Sequence, residues 1–353
     1  MSEVPTAPPD AALPPEAGAS VEEKLAALST PSTYGPEVHD VRLIETHFAW
    51  VFLAQDRVYK LKKPIVAPDL DLKTPAKRQH NCSEEFRLNR ALSPAVYLGI
   101  ESLVRGPDGK LHLDGEGVAV DWLVRMRRLP EDLMLDCAIA AGRVPREQID
   151  GAARLLIDFY RRQPPVAIAP DAYVQRLQQQ IDANRTGLLA ADLGLDAVLV
   201  ERLIERQRAA LAKLHAEAAQ RAVQRRIIEV HGDLRPEHVC LTSPPAIIDR
   251  LEFSLDLRVM DPCEELAYFA IECSHAGAAW IGDRVFSLYL SATADPIPVP
   301  LYRLYQSHRA ATRAKIVAWH LRDPAFRARQ PWSAIAGRYL SEALEYLETQ
   351  PPS

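Results

Sequence analysis

One polar stretch interrupts the otherwise helical second part of this chain: His231-Gly232-Asp233-Leu234-Arg235-Pro236-Glu237-His238, followed at once by the apolar Val239-Cys240-Leu241. A few residues later Ala246-Ile247-Ile248-Asp249 forms a second apolar run that delivers a carboxylate. Two acids at the ends of two short strands, with histidines beside them, make a site-like pattern. The plain alternative is a loop and hairpin around a satisfied core histidine, and the rest of the chain decides between the two.

The remaining sequence shows what surrounds this stretch. The chain has 353 residues, 48% of them apolar, enough for one large domain or two lobes. Its charge is 42 basic minus 47 acidic, or −5. An acidic balance argues against a general nucleic-acid binder, which needs a basic face. No apolar run approaches the roughly 18–20 residues that span a bilayer. The start, Met1-Ser2-Glu3-Val4-Pro5, lacks the features of a secretion signal, so no membrane partner and a cytoplasmic location are expected. Five cysteines in no CxxC spacing point to neither a disulfide framework nor a zinc ribbon.

Residues 1–20 are rich in Ala, Pro and Glu and are expected to form a disordered tail. Val21–Ser29 reads as a short helix. Val41–His47, Ala49–Ala54 and Arg57–Lys63 read as three strands, with Gln55-Asp56 as a two-residue turn. In the third strand Val58, Lys60 and Lys62 share one face, and Tyr59 and Leu61 share the other. A solvated lysine face is the plain reading of that pattern. Thr74-Pro75 starts a helix that runs to about Leu92. Glu85 lies with Leu88 and Leu92 on an apolar stripe, and Glu84 lies with Leu88 and Ala91, so spacing does not choose between them. Either glutamate wants a cation, and the lysine strand is the obvious donor. A hairpin over Tyr97–Leu113 and a strand over Val118–Leu129 follow. After Pro130 helical periodicity takes over. The expected domains are therefore a β-rich N-lobe over 21–129 and a helical C-lobe over 130–349, which carries the polar stretch. No GxxxxGK[ST] loop is present, which argues against a P-loop NTPase.

A strand lysine, a helix glutamate, a loop aspartate and a second aspartate after a hairpin are the parts that protein-kinase-like enzymes use for phosphoryl transfer. His231–Leu241 resembles the HGDxxxxN-type catalytic loop of the aminoglycoside phosphotransferase / choline kinase-like superfamily. Ile248-Asp249-Arg250-Leu251-Glu252-Phe253 resembles its metal-binding strand end, and Asp261-Pro262-Cys263-Glu264-Glu265-Leu266-Ala267 the helix start after it. More narrowly, Ile44–Trp50, Val58–Pro64, Cys82–Arg90 and Arg309–Lys315 look like an uncharacterised bacterial branch often fused to a P-loop ATPase domain. The resemblance covers roughly residues 22–345, and the chain would be the form without that fused domain.

The resemblance implies an α+β fold: a protein-kinase-like bilobal architecture with a small antiparallel β N-lobe carrying one helix and a larger, mainly helical C-lobe. It implies a phosphotransferase that uses ATP and Mg²⁺ to phosphorylate a hydroxyl of a small-molecule substrate. Asp233 would be the catalytic base and Asp249 the principal Mg²⁺ ligand. Lys62 matches the family's phosphate-binding lysine, and Lys60 on the same face is the alternate. Glu85 would be its partner, with Glu84 the alternate. Met126 would sit near the hinge where adenine binds. His231 would shape the loop rather than transfer a proton.

Three departures from the family pattern stand out. The turn Thr46–Trp50 has no glycine. His238 stands where the family has an Asn metal ligand. Imidazole suits Mg²⁺ poorly, so His238 implies a phosphate contact, a preference for Mn²⁺ or loss of the second metal. Glu265 replaces an Asp of expected structural role. Arg303, Arg309, Arg313 and Arg322 make an anionic or neutral acceptor a better fit than a polycation. The competing readings are a nucleotide-binding pseudokinase that serves as an interaction module, transfer of a nucleotidyl group, and a metallophosphatase with His231, Asp233, His238 and Asp249 as ligands.

Overall fold

A computed structural model describes residues 18–67, 70–323 and 327–348. The tail expected over 1–20 therefore lies outside the described residues up to position 17. In chain order the elements begin with α1 (Val21–Leu28), β1 (Val41–Glu45), β2 (Ala49–Ala54), β3 (Arg57–Lys62), β4 (Val66–Ala67) and β5 (Leu70–Asp71). Next come α2 (Pro75–Arg90), β6 (Tyr97–Arg105), β7 (Leu111–Leu113) and β8 (Val118–Arg127). The helices α3 (Leu135–Ala140), α4 (Arg146–Arg162), α5 (Pro170–Leu188), α6 (Ala197–Lys213) and α7 (His215–Val223) follow. Four two-residue strands interrupt them: β9 (Ile228–Glu229), β10 (Val239–Cys240), β11 (Ala246–Ile247) and β12 (Val259–Met260). The chain continues with α8 (Pro262–His275), α9 (Ala279–Thr293), α10 (Val299–Trp319) and α11 (Trp332–Glu348). The fold is α+β, and the chain divides into two compact units.

The first unit takes the described residues up to Glu131 together with Ala246–Ser254. Its six-stranded antiparallel sheet runs β1-β2-β3-β8-β6-β7. Strand alternation gives the sheet two unlike faces. Phe52, Tyr59, Leu61, Leu103 and Leu123 join Leu28 of α1 in an apolar cluster on one side. Lys60 and Lys62 point to the other. Thr74 caps α2 by accepting from the Lys77 N–H, and Pro75 occupies the first turn, as the sequence predicts. A buried ion group ties the elements together: Asp121 of β8 accepts from Arg78 of α2 and from Lys24 of α1, each at 2.8 Å.

Sequence patterning assigned residues 246–254 to the helical part of the chain, yet they pack with the sheet. The reason is a pair of side chains at the end of α2. Asn89 Oδ1 accepts from the Arg250 N–H at 2.7 Å, and Asn89 Nδ2 donates to the Arg250 carbonyl at 3.2 Å. Ser93 Oγ exchanges hydrogen bonds with Ile247 in the same way. The two side chains thus satisfy main-chain groups that would otherwise need a partner strand.

The second unit spans Asp132–Pro245 and the described residues from Leu255 onward. Strands β9 and β12 pair antiparallel beneath the polar stretch, and Val230 N–H donates to Arg258 O at 2.8 Å. The stretch of helical periodicity from Ala197 forms two helices rather than one, α6 and α7, that meet at Leu214 (φ −100°, ψ 17°). Helix α10 packs against α11, α8 and α5. None of the five cysteines is in a disulfide. Among the described residues no helix is long and apolar enough to cross a membrane.

Candidate active site

The lysine face of β3 is not solvated. Glu85 of α2 is fully buried beneath it and gives one carboxylate oxygen to each lysine. Its Oε1 lies 3.0 Å from Lys60 Nζ, and its Oε2 pairs with Lys62 Nζ. Glu84, the alternate by spacing, points outward and pairs with Arg87. Lys60 also reaches Asp249 Oδ1 at 2.6 Å, and Lys62 reaches Glu252 Oε1 at 2.6 Å. The two lysines differ in access, with side-chain exposures of 14% for Lys60 and 2% for Lys62.

These contacts set the charges. Burial alone would discharge Lys60, but Asp249 and Glu85 outweigh it and hold its pKa well above the ordinary lysine value. Lys62 is likewise raised, against its burial, by Glu252 and Glu85. Burial would raise Glu85, and the two lysines pull it below the usual carboxylate range. All three groups are therefore ionised at neutral pH.

Asp249 sits in the left-handed region at φ +62°, where Asp is tolerated better than most residues. Its N–H donates to the Tyr97 hydroxyl at 3.0 Å, which fixes the bend and turns the carboxylate toward Lys60. The Asp249 side chain is 42% exposed. Met126 shares the face of Lys60 and Lys62, opposite Val58 in the register and buried between β3 and β6. Its main chain is flanked by strands on both sides, so its side chain is what it offers to that face.

In the second unit the polar stretch is held from below. Glu265 of α8 accepts the His231 N–H at 3.0 Å, the Gly232 N–H at 2.5 Å and the Tyr160 hydroxyl at 2.6 Å. Gly232 takes φ +91°, a turn that suits glycine. Burial raises the Glu265 carboxyl above its ordinary value despite these donors. His231 is fully buried, and its Nδ1 accepts the Asp233 N–H at 3.3 Å.

Asp233 projects from this braced loop. Its Oδ1 accepts from the Tyr268 hydroxyl at 3.3 Å, and its Oδ2 lies 3.3 Å from Arg235 Nε. Burial pushes the carboxyl up, but Arg235, His238 and Arg313 together hold it below the usual range. His238 stacks on His231 with ring centroids 5.9 Å apart. Its Nδ1 meets the Asp233 carbonyl at 2.7 Å. A carbonyl only accepts, so Nδ1 carries the proton and His238 closes the loop on itself.

Sequence reasoning missed several participants. Glu252 was quoted within a motif but given no role. Tyr268 and Glu272 follow Glu264 at helical spacing on α8, a stripe visible in the sequence once α8 is known. Asn89 and Tyr97 carried no recognisable signal. Asp261, Cys263 and Asp295 form a buried cluster of metal-ligating type, but Arg221 bonds to both aspartates, so a guanidinium already supplies its positive charge.

Comparison with known proteins bears on the fold. No protein family model matches the chain. Uncharacterized proteins of Mycobacterium tuberculosis and Mycobacterium bovis are 30% identical over 280 residues, which cover 78% of this chain and 54% of each relative. The chain thus spans about half the length of the curated relatives it matches. A choline/ethanolamine kinase family protein from Mesorhizobium loti superposes with a TM-score of 0.54 at 15% identity, covering 93% of this chain and 95% of that one. A thermostable mutant of aminoglycoside phosphotransferase APH(4)-Ia does so with a TM-score of 0.50 at 10% identity, covering 90% and 98%. The chain therefore has a protein-kinase-like fold. Within that class, its fold is the one it shares with these two kinase structures.

Proposed function

We propose that this chain is an ATP-dependent phosphotransferase acting on a hydroxyl group of a small molecule. The observation that carries the reading is Lys60, held by Glu85 on one side and Asp249 on the other. A buried, charged lysine between a helix glutamate and an aspartate with solvent access suits a nucleotide's phosphates.

The residues then take the following parts. Lys60 holds the transferring phosphate, and Glu85 fixes the lysine in place. Lys62, which the family match favours for that part, instead anchors Glu85 and Glu252. The Met126 side chain supplies apolar surface for the base on the lysine face. Asp233 orients the acceptor hydroxyl and takes its proton as the oxygen–phosphorus bond forms and the bond to the leaving ADP breaks. Its depressed pKa keeps it ionised, and Tyr268 and Arg235 keep it in one orientation. His231 and Glu265 shape the loop. His238 braces it rather than serving as catalyst.

Mg²⁺ fits Asp249, a hard oxygen donor in a group with more carboxylates (Glu85, Asp249, Glu252) than lysines. When bound there the ion would neutralise phosphate charge. His238 does not fit Mg²⁺, because its Nδ1 is committed to the Asp233 carbonyl, its Nε2 faces Arg235 Nη2 at 3.4 Å, and imidazole nitrogen is better matched to Mn²⁺. The metallophosphatase reading loses support, since both histidines spend their Nδ1 atoms on the Asp233 main chain. The use of ATP in this reading fits a cytoplasmic location.

The test is a screen of hydroxylated metabolites with γ-labelled ATP, using wild type, Asp233→Ala and Asp249→Ala. Transfer to a compound class that both substitutions abolish supports the reading. Nucleotide binding without transfer to any compound supports the pseudokinase alternative.

A further inference from the structure

The chemistry around Asp233 points to the kind of acceptor, an inference that rests on the phosphotransferase reading. Helices α8 and α10 face each other there with regular stripes. Glu264, Tyr268 and Glu272 follow at four-residue spacing on α8, and Arg309 and Arg313 at the same spacing on α10. Arg309 lies over the Tyr268 ring, 4.8 Å from its centroid. Arg313 Nε lies 3.4 Å from Glu272, and Arg309 Nη1 lies 3.9 Å from Glu264. Arg235 adds a third guanidinium from the loop itself.

These arginines are held near carboxylates but not saturated by them. The chain forms close, two-pronged pairs elsewhere, as between Arg284 and Asp150 at 2.8 Å. Here the pairs of Arg309 and Arg313 are long, at 3.9 and 3.4 Å, while Arg235 is held by Glu237 at 2.6 Å through Nη1. The Nε–H groups of Arg235, Arg309 and Arg313 are all buried, and among the described residues none has a hydrogen-bond partner. Glu264 is shared with His308, and Glu272 with the Tyr339 hydroxyl, so each acid divides its attraction.

The same arrangement disfavours a cationic acceptor. A quaternary or primary ammonium group needs an open aromatic face or an unclaimed carboxylate. The Tyr268 face already carries Arg309, and Glu264 and Glu272 are already paired. Arg309 also bears on a neighbouring cation. Lys315, on the same helix, is pushed down to about 8 by burial and by Arg309.

We propose that Arg309 and Arg313, with Arg235, form an anion subsite beside Asp233, and that the acceptor is a hydroxyl compound bearing a carboxylate or phosphate. A guanidinium recognises either group through paired N–H donors. The anion would be held by the arginines while its hydroxyl is presented to Asp233. Of the arginines named by composition, Arg322 belongs elsewhere, because it is spent on Asp192 at 2.6 and 2.9 Å.

Calorimetric titration of the full chain carrying Asp233→Asn tests this without requiring transfer. The probes are D-glycerate and glucose 6-phosphate, their neutral counterparts glycerol and glucose, and the cations ethanolamine and choline. At least one anion is expected to bind at least tenfold more tightly than its neutral counterpart. Adding Arg309→Gln or Arg313→Gln should weaken that binding roughly 10- to 100-fold, the loss of a charged hydrogen bond. Arg313→Lys, which keeps charge but loses the fork, should fall in between, with circular dichroism confirming that each variant is folded. Equal or better binding of neutral or cationic probes, binding of no probe, or indifference to the arginine substitutions overturns the proposal. Anion binding with no phosphoryl transfer by the wild type would instead overturn the phosphotransferase reading and leave the subsite standing.

Discussion

Lys60 Nζ stands 2.6 Å from Asp249 Oδ1, so a strand lysine and the acid after a distant hairpin meet within one compact unit. Lys62, two residues on, is enclosed by Glu85 and Glu252 and has almost no solvent access. The two lysines should therefore fail differently. Lys60→Met is expected to lower kcat/KM by about 10- to 100-fold, on the scale of one charged contact to phosphate, with little change in unfolding midpoint. Lys62→Met leaves Glu252 without its cation and the buried Glu85 with Lys60 alone, and should cost about 3–5 kcal/mol of stability. Urea unfolding and steady-state kinetics on both variants check this. A stable, inactive Lys62→Met would reverse the assignment.

Asp233 titrates below its ordinary 3.8 because Arg235, His238 and Arg313 overcome its burial. The sign follows directly. A lowered folded pKa adds stability above the unfolded value, and that stability is lost as pH falls through the folded one. For activity, the base form is populated across the neutral range, so no acid limb from Asp233 should appear between about pH 5 and pH 8. Arg313→Gln removes one of the charges that hold it down and should move any acid limb upward. The pH dependence of kcat/KM for both proteins gives the answer.

Glu265 accepts three donors that fix the polar loop. Glu265→Ala strands two main-chain N–H groups and a tyrosine hydroxyl in a buried place. At about 1–3 kcal/mol for each unmet group, the loss should be several kcal/mol. Glu265→Gln keeps an acceptor and should lose less. Because burial raises the Glu265 pKa, its contribution to stability is fullest in acid and shrinks as pH rises through the folded value. Wild type should accordingly exceed Glu265→Gln in denaturation midpoint by more at pH 4 than at pH 8.

His238 donates its Nδ1–H to the Asp233 carbonyl. An asparagine amide can make the same bond, so His238→Asn should retain activity within roughly tenfold. As a brace, His238 has no bearing on metal choice, and the ratio of Mg²⁺- to Mn²⁺-supported rates should stay constant. A ratio that swings toward Mg²⁺ in the variant would show that His238 is a metal ligand.

Much of this was legible in the sequence because local rules govern it. The Thr74-Pro75 helix start, the Gln55-Asp56 turn and the alternation in β3 all act over a few residues, and each appears as expected. Glu84 and Glu85 were not separable by spacing, since both flank one stripe; only the position of the sheet buries Glu85 and leaves Glu84 to Arg87. The lysine face looked solvated because nothing local announces that Glu252, 190 residues from Lys62, returns to it. Asn89 and Ser93 decided where residues 246–254 pack by imitating a strand's hydrogen bonds, a role that no periodicity records. The left-handed turn at Asp249 was hidden for the same reason, as it depends on the Tyr97 hydroxyl.

The central claim is phosphoryl transfer that depends on Asp233 and Asp249, and label transfer from γ-labelled ATP to a hydroxylated acceptor tests it most directly. The account predicts transfer by the wild type, a fall of about 10²- to 10⁴-fold in Asp233→Ala, and a comparable loss in Asp249→Ala with folding preserved in both. Transfer that persists at the wild-type rate in either variant would contradict it.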